Sequence, residues 1–215
     1  MKKVRVMVVD NQTMSRQLFE LLINESENYQ LAASTNDASV AEELCGKHRA
    51  ELILMDVLTH GGANGLEAAK RIRKSYPHVK IIVVTSLPEP SFLKQAKQIG
   101  VDSFWYKEVQ DLPILTLMDR TMAGQSIYPD APPPIQIGLA SSREFTNRER
   151  DVLRELVEGG NNRAIAQKLG VSEHAVHYHI NNMLAKTGYT NRVKLAVMVR
   201  KSGFVVNPDE EIPFK

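Results

Sequence analysis

Five polar side chains in the first half of the chain have types suited to phosphoryl chemistry: Asp10, Asn11, Asp56, Thr85 and Lys107. Their positions single them out, because each closes or follows a short apolar run. Val4, Val6, Met7, Val8 and Val9 lead to Asp10 and Asn11, Leu52 to Met55 leads to Asp56, Ile81 to Val84 leads to Thr85, and Ser103 to Tyr106 leads to Lys107. Two neighbouring carboxylates suit a hard divalent cation such as Mg2+, which keeps several waters and bridges carboxylate to phosphate oxygens. A lysine facing them can pair with a phosphoryl oxygen, and a threonine hydroxyl can donate to another. Taken singly, an acid at a strand end can merely cap the next turn, the threonine can be an ordinary strand terminus and the lysine a solvated cation. The chemistry depends on all five reaching one place.

The elements that must bring them there follow from periodicity. Nearly unbroken apolar runs at Val4 to Val9, Leu31 to Ser34, Leu52 to Met55, Ile81 to Val84 and Ser103 to Tyr106 read as strands buried on both faces. Between and after them, helical spacing marks Ser15 to Asn24, Ser39 to His48, Leu66 to Tyr76, Ser91 to Gln98 and Gln110 to Ala123. Five alternations predict an α/β fold, a doubly wound five-stranded parallel sheet. Right-handed crossovers then put every strand's carboxyl end on one edge. In the common 2-1-3-4-5 order, the first and third strands adjoin at the switch point where ligands bind, so Asp10 and Asp56 share a small acidic pocket. No glycine-rich dinucleotide or Walker pattern follows a strand, which argues against a nucleotide cofactor.

The second half carries a different pattern. Thr146 and Glu149 stand at capping-box spacing, and Val152, Leu153, Leu156 and Val157 give an apolar stripe to a helix over 147–158. Asn161 or Asn162 caps a short helix ending at Gly170, and Ser172 caps a longer one whose Val176, Ile180, Met183, Leu184 and Thr187 share one face. His174, Tyr178, Asn181, Asn182 and Ala185 point the other way, with His177 on the flank. A short helix, a glycine turn and a longer helix with a polar outer face is a helix-turn-helix, whose second helix enters the DNA major groove; the plainer alternative is a small bundle with a solvated face. Between Arg143 and Gly203 there are 11 Lys and Arg against 6 Asp and Glu, although the whole chain is only +2. Positive charge collected on one segment favours a phosphate backbone as partner. Base edges then fall to His177, Tyr178 and Asn181, and phosphates to Ser172, His174, Lys186 and Arg192.

At 215 residues and 43% hydrophobic content the chain can fill two modest cores. The expected organisation is a first domain over 1–123, a proline-rich linker over 124–142, a helical domain over 143–203 and a tail over 204–215 that is frayed over Pro208 to Pro213. A further helix over Asn191 to Lys201 has an apolar face that can pack on its own domain or pair with a second copy. No apolar run approaches the 18 or so residues of a membrane span, and Met1-Lys2-Lys3 leads into a strand, not a secretory segment, so a cytoplasmic protein without a membrane partner is expected. Cys45 is the only cysteine and reads as core filler.

These residues also carry two family resemblances. Over Val4 to Ala123, with Asn64-Gly65-Leu66-Glu67-Ala68 and Gly100-Val101-Asp102-Ser103-Phe104 matching as well, the chain resembles the flavodoxin-like receiver domain of two-component response regulators. The resemblance implies that Asp56 accepts a phosphoryl group from a histidine kinase, with Asp10, Asn11 and Asp56 at a Mg2+ ion, Thr85 following the phosphoryl group, Lys107 as its lysine partner and Phe104 as the aromatic switch. Over about sixty residues, Thr146-x-x-Glu149, Gly159-x-x-Asn162-x-x-Ile165-Ala166-x-x-Leu169-x-Val171-Ser172 and Val176-x-x-His179-x-x-x-Met183-x-x-Lys186 resemble the LuxR-type DNA-binding domain. Together they imply a NarL/FixJ-class transcription regulator, not an enzyme, that dimerises through its last helix.

The chain departs from these families at four points. Asn11 stands where a second acid is usual, so metal affinity should fall. The loop after Asp56, VLTHGGANG, lacks the usual proline and is one residue longer, with Leu58 where a backbone carbonyl reaches the metal. Ser86-Leu87-Pro88-Glu89-Pro90 stiffens the loop after Thr85. His177 replaces a DNA-facing lysine with a group only partly charged at neutral pH. Two other readings therefore stay open: a phosphorylation-independent regulator whose receiver senses a protein or ligand, and, more remotely, a Mg2+-dependent phosphatase.

Overall fold

A computed structural model of the chain describes residues 2–108 and 112–206. These form two compact units, one built from residues 2–86 and 90–132, the other containing residues 133–206.

In the first unit β1 (Val4–Val9), β2 (Tyr29–Thr35), β3 (Leu52–Asp56), β4 (Lys80–Thr85) and β5 (Ser103–Tyr106) make one parallel sheet in the order β2-β1-β3-β4-β5. The helices that alternate with them are α1 (Thr13–Glu25), α2 (Ala41–His48), α3 (Gly65–Ser75), α4 (Pro90–Ile99) and α5 (Ile114–Met122). Side chains alternate across a strand, so each run of apolar residues serves two cores. Val6, Val8, Leu52, Leu54, Ile82 and Val84 pack with Phe19 and Ile23 of α1 and Ile114, Leu117 and Met118 of α5. Met7, Val9, Ile53, Met55, Ile81 and Val83 point to the other face and are equally buried. Each such side chain contributes about 1.5–3 kcal/mol on leaving water, which explains strands without polar alternation.

The second unit holds α6 (Asn147–Val157), α7 (Asn162–Leu169), α8 (Glu173–Thr187) and α9 (Arg192–Ser202), preceded by a two-stranded hairpin of β6 (Gln136–Ile137) and β7 (Ala140–Ser141). Side chains of Thr146, Asn161, Ser172 and Asn191 cap the four helices, each accepting from a free amide of the first turn. Gly170, at φ 65°, makes the left-handed turn from α7 into α8 that a side chain would strain. Val152, Leu153, Leu156, Ile165, Val176, Ile180, Met183, Leu195 and Val199 converge in one core.

Two expectations are corrected. The last helix of the sheet unit begins at Ile114 and not at Gln110, because Pro113 lacks an amide hydrogen and sits in extended backbone as the N-cap; Gln110 itself lies outside the described residues. Residues 124–142 are not a plain linker. Ile127 bridges to Ser103 and the Tyr128 hydroxyl donates to the Val101 carbonyl at 2.5 Å, while Ile137 and Ala140 are buried in the helical core. The first tail residues are packed: Phe204 and Val205 join that core, Phe204 edge-on to Phe145 at 5.3 Å, and Val206 is also buried. The rest of the tail, 207–215, lies outside the described residues. Among the described residues no helix is long and apolar enough to cross a membrane.

Candidate functional sites: an acidic pocket and a recognition helix

Register explains why the acids meet. Val9 of β1 pairs with Met55 of β3, so the next residues, Asp10 and Asp56, emerge side by side at the carboxyl edge. Thr85 pairs with Tyr106 across β4 and β5, and the following Lys107 donates its backbone amide to the Thr85 carbonyl at 3.0 Å. The Lys107 ammonium then lies 2.8 Å from Asp10 Oδ2 and 2.8 Å from Asp56 Oδ2. Asp10 and Thr85 are fully buried and Asp56 nearly so. Phe104, two residues before Tyr106, is buried with its ring 5.0 Å from that of Tyr106.

With both carboxyls ionised, the two acids and one ammonium give the pocket one net negative charge, and local donors hold the acids in place. The Gln12 amide and the Ser15 hydroxyl donate to Asp10 at 2.9 and 2.6 Å, and Arg16 donates to its backbone carbonyl at 2.7 Å. Asp56 Oδ1 accepts from the Val57 amide at 2.7 Å. Burial pushes the Asp56 carboxyl up to about 7; the Lys107 charge opposes that rise and the Asp10 charge adds to it. Burial alone would lower the Lys107 value, but the two carboxylates outweigh it and hold the ammonium charged. Asn11 Oδ1 is buried without a hydrogen-bond partner. A hard cation beside Asp10 and Asp56 would satisfy that oxygen, so the donor set fits Mg2+.

Sequence reading missed Gln12, Ser15 and Arg16, whose roles depend on how α1 leaves β1; it singled out the loop that follows Asp56 but not how tightly that loop packs on the residue. There Gly65 comes so close to the Asp56 carbonyl that a Cβ built on it would overlap the oxygen.

In the second unit α8 and its N-cap expose Ser172, His174, His177, Tyr178 and Asn181. The Asn181 amide nitrogen lies 3.4 Å from His177 Nδ1, and the Tyr178 ring stands edge-on to His179 at 5.7 Å. Ser172 also caps the helix, accepting from the Ala175 amide at 3.1 Å. Lys186 and Arg192, expected on phosphates, turn their cationic groups to their own domain. Lys186 contacts both Glu149 oxygens at 2.8 Å and the Glu144 carbonyl at 2.9 Å, while Arg192 donates to Gly160 and Asn162 oxygens at 2.7 Å each.

Glu149 thus caps α6 and anchors the last turn of α8 together. Burial would raise its carboxyl, but hydrogen bonds from Lys186 and from the Thr146 amide and hydroxyl prevail, and its value lies below the ordinary 4.5. A depressed folded-state value stabilises above the unfolded value and is lost as pH falls through the folded one. Thermal unfolding of the helical unit should therefore show an acid-side loss of stability below pH 4.5 that Glu149→Ala removes, and that variant should lose about 2 kcal/mol at neutral pH.

A five-stranded parallel sheet with an acid–lysine pocket at its edge, carried with a helix-turn-helix unit, defines a signal-responsive DNA-binding regulator. Residues 6–119 match the response regulator receiver domain, and residues 143–199 match the bacterial regulatory proteins of the luxR family. The chain belongs to the response regulators, in their NarL/FixJ class. It is 26% identical to the nitrate/nitrite response regulator NarL of Escherichia coli K12, over 91% of this chain and 94% of that one. It is also 26% identical to the transcriptional regulatory protein YxjL of Bacillus subtilis 168, over 94% and 98%. Among solved structures, RcsB of Salmonella enterica serovar Typhimurium, bound to a promoter with the phosphomimetic BeF3−, shares the fold at a TM-score of 0.62 and 18% identity, covering 92% of this chain and 98% of that one.

Proposed function

We propose that Asp56 accepts a phosphoryl group from the phosphohistidine of a histidine kinase and that the modified receiver raises the affinity of the helix-turn-helix unit for DNA. The observation that carries this reading is Lys107 bridging Asp10 and Asp56 at 2.8 Å, with the Asn11 oxygen, one residue after Asp10 in the chain, buried and unpartnered. A lone pair of the Asp56 carboxylate forms the new O–P bond while the bond from phosphorus to the donor nitrogen breaks, leaving the electron pair on the imidazole. Asp10, Asn11 and Asp56 are the residues that would hold Mg2+, which when bound neutralises charge on the transferring group. Lys107 pairs with a phosphoryl oxygen, the Thr85 hydroxyl follows another, and the Phe104 ring responds to that shift. The protein is a switch and not an enzyme with turnover, and it works in the cytoplasm where its DNA lies.

On α8, His177, Tyr178 and Asn181 take the base edges, and Ser172 and His174 at its amino end take phosphates. Lys186 and Arg192 keep that helix in place. The exposed Val193, Val197 and Met198 on α9 serve a second copy of the chain.

Phosphorylation acts by population shift, so its effect on DNA affinity equals the coupling between the sites. Adding a small phosphodonor with Mg2+ should tighten binding to promoter DNA by about 5- to 150-fold in the wild type, and leave Asp56→Asn unchanged. Equal affinity with and without donor, in protein shown by mass to be phosphorylated, would sink the switch. One feature favours a second reading, in which the receiver senses a ligand. A cavity of about 500 Å3 beside Lys107 is walled by Leu18, Phe19, Leu22, Trp105, Ile114 and Leu115, and that size suits a small amphipathic molecule.

A further inference from the structure

The loop joining β3 to α3 is closed on itself and tied to the segment after β2, and one buried hydroxyl does both. Thr59 is 4% exposed. Its Oγ1 donates to the Ala63 carbonyl at 2.8 Å and accepts from the Ala38 amide at 2.8 Å, and its own amide also donates to Ala63 at 3.0 Å. On either side, Leu58 bridges to Asn64, the Gly65 amide donates to Val57 at 2.8 Å, and the His60 amide donates to Asn36 at 2.8 Å. The far end of this framework is the Val57 amide, 2.7 Å from Asp56 Oδ1. A loop of this length, with Gly61 and Gly62 both at positive φ, has the freedom to turn that amide away unless something pins it.

We propose that Thr59 is a positioning residue for the Asp56 site. By pinning the loop it holds the Val57 amide on one carboxylate oxygen and so fixes the orientation in which Asp56 meets Mg2+ and the phosphoryl donor. The proposal rests on Asp56 being the phosphoacceptor. It also makes the Asn36–Ala38 segment, joined through the same hydroxyl, a part of the chain that senses occupancy of the pocket.

The test uses the whole chain as wild type, Thr59→Val, which keeps the volume and loses both hydroxyl bonds, and Thr59→Ser, which restores them. Mg2+ binding is read by titration calorimetry and phosphorylation by intact mass against Mg2+ concentration. Supporting partners of a metal site typically carry about 10- to 100-fold in affinity, so Thr59→Val should bind Mg2+ at least about tenfold more weakly. The Mg2+ needed for half-maximal labelling should rise in parallel, and Thr59→Ser should return both to the wild-type values. A Thr59 that only seals the loop lowers the unfolding midpoint of Thr59→Val and leaves the Mg2+ affinity of the folded protein unchanged; that result overturns the proposal, as does a wild type that binds no Mg2+. If Thr59→Val does not fold, amide exchange in the wild type decides: saturating Mg2+ should slow Val57 and Ala38 together, and an unmoved Ala38 counts against it. Failure of wild-type labelling at Asp56, with Mg2+ affinity still dependent on Thr59, would remove the phosphoacceptor reading and keep the positioning role.

Discussion

Asp56→Asn should gain no phosphoryl group when incubated with Mg2+ and a small phosphodonor, whereas the wild type should gain one. The amide keeps the volume of the side chain but has no carboxylate lone pair to form the O–P bond. Lys107 retains Asp10 at 2.8 Å, so the pocket is not emptied of its ion pair. Intact mass reads the difference directly. Labelling that persists in Asp56→Asn would move the acceptor elsewhere, with Asp10 the first candidate. The same substitution has a second expected sign. The folded Asp56 carboxyl titrates at about 7 against an ordinary 3.8, so in that window the folded state holds a proton that the unfolded state has lost. Stability therefore falls as pH rises from 3.8 to about 7, and the penalty persists above it. Asp56→Asn abolishes that penalty and should resist denaturant better than the wild type at neutral pH.

Gly65→Ala should be the most damaging single-methyl change in the first unit. Gly65 opens α3 with ordinary helical geometry, so no left-handed strain is at issue; the added Cβ meets the backbone carbonyl of Asp56, which cannot rotate aside, and then the Met55 side chain at 3.2 Å. Overpacking against backbone costs about 1–3 kcal/mol and occasionally more, and here the strain falls on the residue proposed to accept the phosphoryl group. We expect denaturant unfolding to show a loss near about 3 kcal/mol together with slower phosphoryl labelling. Gly61→Ala is the matched control. It sits at φ 68° with nothing within 4 Å, so it should cost only about 1 kcal/mol of backbone strain. A Gly65→Ala protein no weaker than Gly61→Ala would mean that the start of α3 shifts freely, and the close approach would lose its significance.

Much of the pocket could be read from the sequence because parallel strands announce their carboxyl ends. Where an apolar run stops at Asp10, Asp56, Thr85 or Lys107, topology alone determines that the four share an edge. The features that escaped lie beyond any periodic signal. Thr59 looks like one polar loop residue among several, and only the packing of the loop on Ala38 gives it a task. Lys186 and Arg192 have the charge and position of phosphate ligands, yet Glu149 and the Gly160 carbonyl are better placed to take them. The segment around Ile127, Tyr128 and Ile137 reads as linker by its prolines, and its anchors are apolar or aromatic residues spaced too irregularly to mark an element. Phe204 and Val205 were lost among the acids and prolines that follow them.

Trp105 is the only tryptophan of the 215 residues and Cys45 the only cysteine, and both belong to the sheet unit. The indole N–H donates to the Leu112 carbonyl at 3.0 Å with its ring edge-on to Phe19, two residues before Lys107. The thiol is buried, and burial followed by the Glu42 charge pushes its value up to about 11. Tryptophan emission is consequently a private spectroscopic channel for the receiver, and the thiol stays chemically silent until that unit opens. The helical unit contributes to neither signal, so a Lys201→Cys substitution at the exposed end of α9 would give a dye a single fast-reacting address, from which the two halves of the chain can be watched independently in one cuvette.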